Sequence, residues 1–283
     1  MPKESTLKTM IVALVVCVTA SILVASAAVL LRPIQERNRA IDRKKNILIA
    51  AGLVQEGERT DAETIERLFE KIEVRAVDLT TGKFVDDADM NLVESGALMK
   101  DPSQSTTLDA EKDIAKVRRM ANLQPVYLFR EGKRIERIIL PIRGKGLWST
   151  ILGYIALDAD GNTVQGITFY SHAETAGLGA EIDNPAWKQK WIGKRVFETD
   201  EINGKDTDLK DTDLKDAAST KASTPVIQVI KGCVDTSETN VQKDHQIDGI
   251  SGATLTGRGV TNLVRFWLGP DGFGPMLKQL RKN

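Results

Sequence analysis

Cysteine and histidine are scarce in this chain, with two of each in 283 residues. Cys17 lies in an apolar N-terminal run and Cys233 far down the chain, so no disulfide, CxxC redox pair or cysteine-ligated metal centre is expected. His172 and His245 are too few for a protein-only metal centre of the usual kind. An excess of charge is missing as well: 39 basic residues balance 39 acidic ones. A nucleic-acid binder needs surplus cations to displace counterions from phosphates, so that class is excluded. No GxGxxG follows an expected strand, and Gly177-Leu178-Gly179 lacks the third glycine, so a dinucleotide fold has no support. A hydrolase using Ser251 or Thr254 would need a GxSxG elbow or a recognisable triad order, and neither is present.

What the chain does have begins with Met10–Leu31, an apolar run without a single charge. At 1.5 Å rise per residue, roughly 20 such residues cross the hydrocarbon core of a bilayer, which predicts one transmembrane helix. A cleaved signal peptide is the competing reading, because Lys3 and Lys8 make a weak basic start and Ala25-Ser26-Ala27 resembles a cleavage site. The run exceeds the roughly 7–15 apolar residues of a signal peptide, which favours an anchor. Arg32, Arg37, Arg39, Arg43, Lys44 and Lys45 follow the run, so a literal count of positive charges places the large C-terminal part in the cytoplasm.

Beyond the anchor, Pro33–Leu53 is expected to continue as helix, Ala62–Ile72 shows helical spacing of apolar residues, and Lys112–Arg119 is expected to add another helix. Short alternating stretches at Val74–Leu79, Val126–Arg130, Ile135–Ile142, Ile151–Leu157 and Thr163–Tyr170 read as strands. Asp158-Ala159-Asp160-Gly161-Asn162 between the last two is a hairpin signal. Consecutive strands joined by short turns predict an α+β fold with a mainly antiparallel sheet and flanking helices. DTDLK occurs twice between Asp206 and Lys215, too few copies for a solenoid, and marks a solvated insertion near residues 203–224.

The chemistry concentrates near the C-terminus, in Gln246-Ile247-Asp248-Gly249-Ile250-Ser251-Gly252-Ala253-Thr254-Leu255-Thr256. Two glycines permit close backbone approach, and Ser251, Thr254 and Thr256 offer hydroxyls. Val260, Leu263, Val264, Trp267 and Leu268 then fall at helical spacing, so the hydroxyls sit at a helix start, where a phosphate is favoured. Simple capping of the helix by Ser251 or Thr254 explains the same residues.

Asp-Gly-Ile-Ser-Gly-Ala-Thr-Leu-Thr resembles the flavinylation motif of FMN-binding subunits in Na+-translocating NADH:quinone reductases and the related Rnf complexes. The resemblance implies FMN joined by a phosphoester to Thr254, placed there by a flavin transferase, with Asp248, Ser251, Gly252, Ala253 and Thr256 completing the motif. His172-Ala173-Glu174-Thr175-Ala176-Gly177-Leu178-Gly179 is similar to the family's HxETxGLG segment beside the flavin, with Ala176 where proline is frequent. His172, Glu174, Thr175, Gly177, Leu178 and Gly179 are therefore implied flavin neighbours. His172 and Glu174 also suit a general-base pair, although no nucleophile or metal pattern accompanies them. Gly146-Leu147-Trp148-Ser149 matches a third family block, implying Trp148 and Ser149 near the flavin, with core packing the other reading of Trp148.

The similarity extends from the anchor to the C-terminus, and the long N-terminal half resembles the C-subunit branch of the sodium pump more than the Rnf G subunit. The implied organisation is a short tail (1–9), a transmembrane helix (10–31), a membrane-proximal helical and α+β region (32–125) and an FMN-binding domain (126–283). The implied function is a redox subunit of a complex that couples NADH oxidation and ubiquinone reduction to Na+ export, incomplete by itself as an enzyme. One span, no nicotinamide motif and no intramembrane carboxylate leave NADH and Na+ to other subunits. Implied partners are the other subunits of a six-subunit pump, the flavin transferase and the lipid bilayer. The implied location is the cell inner membrane with the flavin domain in the periplasm, opposite to the charge count. A flavin-binding membrane regulatory protein is the alternative of a different class.

Overall fold

The structure, a computed structural model, describes residues 5–198 and 224–281. Both DTDLK copies, and all of the expected insertion except Thr224, lie outside the described residues. The chain divides into two compact units, Met1–Lys44 and Lys45–Asn283.

Among the described residues, the first unit is helical from Thr6 onward. Helix α1 (Thr6–Ala50) starts in it and carries the apolar run, with a mean hydropathy of 2.7 over its most apolar window and none of that window buried. It has the length and composition to cross a membrane. Pro33 sits inside α1, where it removes one backbone donor without ending the helix.

The second unit is built on a six-stranded sheet in the order β2-β1-β5-β6-β7-β8. Its strands are β1 (Ile72–Asp78), β2 (Phe84–Val85), β5 (Leu123–Glu131), β6 (Arg134–Lys145), β7 (Thr150–Asp158) and β8 (Val164–Ser171), paired antiparallel throughout as expected. A two-stranded ribbon, β3 (Ser105–Thr107) with β4 (Arg119–Ala121), adds to it, and α3 (Met90–Ser95) lies between β2 and β3 in sequence.

The period of two explains why both faces of the sheet are covered. Leu128, Ile138, Leu157 and Val164 lie in one cross-strand row and join the main core, together with Val260, Leu263, Val264 and Trp267 of helix α5 (Thr254–Leu268). Tyr127, Ile139, Ala156 and Gly166 form the neighbouring row on the opposite face. There Gly166 meets the backbone of Ala50, and Phe69 of α2 (Ala62–Phe69) meets Tyr127 edge to face at 6.4 Å. Two short helices complete the unit, α4 (Pro185–Gln189) and α6 (Gly274–Leu280), with a small parallel pair between β9 (Gln228–Val229) and β10 (Gln246–Ile247).

Two expectations change. Lys112–Arg119 is not a helix: the Asp113 carboxylate accepts the N–H groups of Val117 (2.7 Å) and Arg118 (2.6 Å), while Lys116 and Arg118 take positive φ. Local side-chain-to-backbone bonds offered this polar stretch an alternative to the helical ladder. The expected boundary at 125/126 falls inside β5, and β1 pairs with β5 along its full length. Part of the segment read as membrane-proximal therefore belongs to the central sheet.

Trp267 closes the core, donating its indole N–H to the Arg143 carbonyl (2.6 Å) and lying against Phe266 and Phe273. Replacing it with alanine is expected to cost about 3–5 kcal/mol, measured by denaturant unfolding of the full chain in detergent. A loss near zero would contradict this packing.

Candidate functional site

Antiparallel pairing brings two of the motif segments to one end of the sheet. Residues 146–149 form the turn between β6 and β7, and residues 172–179 leave the end of β8 beside it, with Lys145 opposite Thr150 and Leu152 opposite Ser171. The Glu174 carboxylate joins them. Oε1 accepts the N–H of Trp148 (3.1 Å) and of Ser149 (3.4 Å), and Oε2 accepts the N–H of Leu147 (3.3 Å) and the hydroxyl of Thr256 (2.7 Å). The Ser149 hydroxyl in turn accepts the N–H of Ala173 (2.7 Å). Two motif glycines make room for this knot. A Cβ at Gly146 would lie 2.5 Å from Glu174 Oε1, and one at Gly179 would lie 2.6 Å from the Thr256 oxygen. Burial pushes the Glu174 carboxyl up, but the Thr256 hydroxyl and the three backbone donors outweigh it and hold the group below the usual carboxylate range.

Asp248 does similar work for the Thr254 loop. Its carboxylate accepts Lys190 Nζ (2.7 Å) and the Val234 N–H (2.7 Å), and its carbonyl accepts the Trp187 indole N–H (2.9 Å). The Lys190 hydrogen bond is the main cause of a lowered Asp248 pKa. Gly252 then turns the chain at φ +72°, with the Leu178 methyl over it. Ala253 is the residue before α5 and makes no side-chain cap, so capping by Ser251 or Thr254 does not occur. The first helical bond of α5 is Gly257 N–H to Ala253 C=O (3.0 Å), which leaves the N–H groups of Thr254, Leu255 and Thr256 outside the ladder. The three hydroxyls separate: Thr256 is 1% exposed and committed to Glu174, while Ser251 and Thr254 are exposed.

His172 and Glu174 do not form a general-base pair. His172 Nε2 pairs with Asp183 Oδ2 (2.7 Å), its Nδ1 accepts the Glu174 N–H (3.3 Å), and the Glu174 carboxylate faces the 147–149 backbone instead. The Thr175 carbonyl accepts the N–H groups of Leu178 (3.1 Å) and Ala180 (3.0 Å), and Gly177 takes φ +73° in that turn. Trp148 is 66% exposed, so it is not a core residue; Leu178 (43%) and Leu255 (54%) are exposed with it. A cleft of about 800 Å³ opens along residues 249–254, between the 228–233 segment and α5.

The FMN-binding domain family model matches residues 146–269, which contain every candidate residue named above. Over 282 residues the chain is 42% identical to the C subunit of the Na(+)-translocating NADH-quinone reductase of Pseudomonas aeruginosa, covering 99% of this chain and 98% of that one. The chain belongs to this family of C subunits. The Yersinia pestis relative of the same name is 41% identical over 278 residues, covering 98% of this chain and 93% of that one. The crystal structure of Shewanella oneidensis NqrC aligns with a TM-score of 0.68 at 29% identity, covering 86% of this chain and 97% of that one.

For a member of this family the geometry fits FMN. An exposed hydroxyl, uncapped helix N–H groups and a glycine turn meet at Thr254, with exposed apolar side chains on nearby loops and an open cleft alongside. Reading the sequence missed the residues that brace the site from a distance, Lys190 and Asp183, because their partners lie 58 and 11 positions away. It also missed the cleft residues Lys231 and Arg258, although the position of Arg258, four residues after Thr254, was a usable signal.

Glu174→Gln keeps one acceptor oxygen but sets an NH2 donor against the two donors that the other oxygen served, so it is expected to cost on the order of 1–3 kcal/mol. Because the native Glu174 pKa is depressed, its stabilisation is fully present above the ordinary carboxylate range and is lost as pH falls through the native value. Thermal unfolding of wild type and Glu174→Gln should therefore converge on acidification; a gap that stays constant into acid would refute this role.

Proposed function

We propose that this chain is the FMN-carrying redox subunit of a Na+-translocating NADH:quinone reductase, with FMN joined through a phosphoester to Thr254. The observation that carries the reading is the exposure of Thr254 in its motif, at the first turn of a helix that has no side-chain cap. Thr256 is spent on Glu174. Ser251 precedes the Gly252 turn and lies outside the helix.

FMN supplies the electron-transfer chemistry, and the chain supplies position and environment. Thr254 fixes one end of the cofactor, so it does not exchange with free FMN. Trp148, Leu178 and Leu255 provide apolar surface for a flat ring. Glu174, bonded to the 147–149 backbone and to Thr256, holds the loop bearing Trp148 against the helix bearing Thr254. His172 with Asp183, and Asp248 with Lys190, keep the flanking segments in register. Helix α1 anchors the protein in the cell inner membrane, and its apolar run contains no carboxylate to hold Na+. Other subunits of the six-subunit complex take NADH, quinone and Na+. The soluble unit stands in the periplasm, where a flavin transferase loads it. This orientation opposes the charge count around the anchor, a rule that is weak for large translocated domains.

Co-expression with the transferase, followed by denaturing electrophoresis under ultraviolet light, tests the attachment. A fluorescent band is expected for wild type and Ser251→Ala and none for Thr254→Val; a band surviving in Thr254→Val would sink the assignment. For topology, a reporter that works only in the periplasm, fused within the soluble unit, should be active. Activity only from a cytoplasmic reporter would reverse the placement.

A further inference from the structure

We infer that Arg258 and Lys231 hold the phosphodiester on Thr254 from the cleft side, and thereby send the flavin ring toward Trp148 and Leu178. The inference rests on the covalent attachment proposed above.

In a chain of zero net charge, the cleft beside Thr254 is lopsided. Its lining includes Lys231, Arg258 and Arg265 and no carboxylate. Arg265 is committed to the wall: its Nε donates to the Ile227 carbonyl (2.7 Å) and its Nη2 to the Val226 carbonyl (2.6 Å). Arg258 and Lys231 are exposed and, among the described residues, form no ion pair. They are the two cations left to meet an anion.

Their placement suits an anion on Thr254 Oγ. Arg258 follows Thr254 by one helical turn, so their Cβ atoms are about 5–6 Å apart on the same face. Helical side chains lean toward the N-terminus, which carries the guanidinium back over Thr254. Lys231 approaches from the opposite wall. That wall is tied to the Thr254 loop, since Ile230 N–H donates to the Ile247 carbonyl (2.9 Å) and Gly249 N–H to the Gly232 carbonyl (2.8 Å).

A phosphodiester carries one negative charge at neutral pH. On the other flank it would meet the exposed apolar side chains of Leu178 and Trp148, with the ionised Glu174 behind them. A charged linker is favoured beside two cations and an apolar ring beside apolar surface, so one residue's attachment splits the cofactor between two surfaces.

The test uses the full chain in detergent, flavinylated by co-expression with the transferase, and compares wild type with R258Q/K231Q and with R134Q on the distant β5–β6 hairpin. Two readouts are taken: the phosphorus NMR resonance of the attached phosphodiester, and native flavin fluorescence per flavin, normalised after denaturation. In wild type and R134Q, Trp148 should quench the flavin, and W148L should relieve it. In R258Q/K231Q the phosphorus resonance should shift toward that of the denatured holo-chain and the fluorescence should rise toward the denatured yield. An attached flavin with both readouts unchanged overturns the inference. If R258Q/K231Q takes no flavin, R258K/K231R decides: restored loading supports a charge role, and a folded but unloaded R258K/K231R protein overturns it. A flavin that persists in Thr254→Val defeats the attachment reading instead, so the two failures are distinguishable.

Discussion

A single carboxylate holds the candidate site together. Glu174 gathers three backbone N–H groups of the 147–149 turn and the hydroxyl of Thr256, and so ties the β6–β7 turn, the segment after β8 and the first turn of α5 at one point. Each donor is a group that would be costly to bury unmatched, and one ionised acceptor satisfies all four. Gly146 and Gly179 pack where a side chain would displace that carboxylate, so the spacing of the motif glycines follows from the size of one side chain. A residue that reads as catalytic by its titratable chemistry is here an architectural one.

The sheet makes this arrangement possible. The register of β6, β7 and β8 delivers the 146–149 turn and the 172–179 segment to the same end of the fold, and α5 lies across the face that begins there. Short loops on a rigid scaffold are placed by the scaffold, not by their own preferences. This explains how Trp148 and Leu178 stay exposed beside a buried polar knot, with Leu255 exposed on the first turn of α5. Exposed apolar groups on a rigid frame are what a flat cofactor or a docking partner requires, and the surface agrees with the match to the FMN-binding domain family.

Much of this was legible in the sequence because it is local. The apolar run of Met10–Leu31, the alternation of strands from β5 to β8, and the Asp160–Gly161 turn each depend on neighbours in the chain. The motif around Thr254 was likewise readable, down to the helix that follows it. The misreadings came where a distant or competing partner decided the outcome. Lys112–Arg119 was expected to be helical, but Asp113 captured two backbone donors. The boundary at 125/126 missed that β1 completes the sheet beside β5. Glu174 and His172 are two residues apart, yet their side chains serve partners at positions 147–149, 256 and 183.

The sequence by itself determined the long apolar N-terminal helix, the antiparallel α+β character, the family and the presence of three hydroxyls near a helix start. Periodicity and motif identity are properties of contiguous residues, and folding does not alter them. Only the tertiary structure separated the hydroxyls, burying Thr256 against a carboxylate 82 positions away and leaving Thr254 and Ser251 exposed. It also placed Trp148 on the surface, where sequence left core packing open, and set three cations along one cleft. Burial and partnership depend on which distant segments meet, and that is settled by the register of the sheet and the packing of α5 on it.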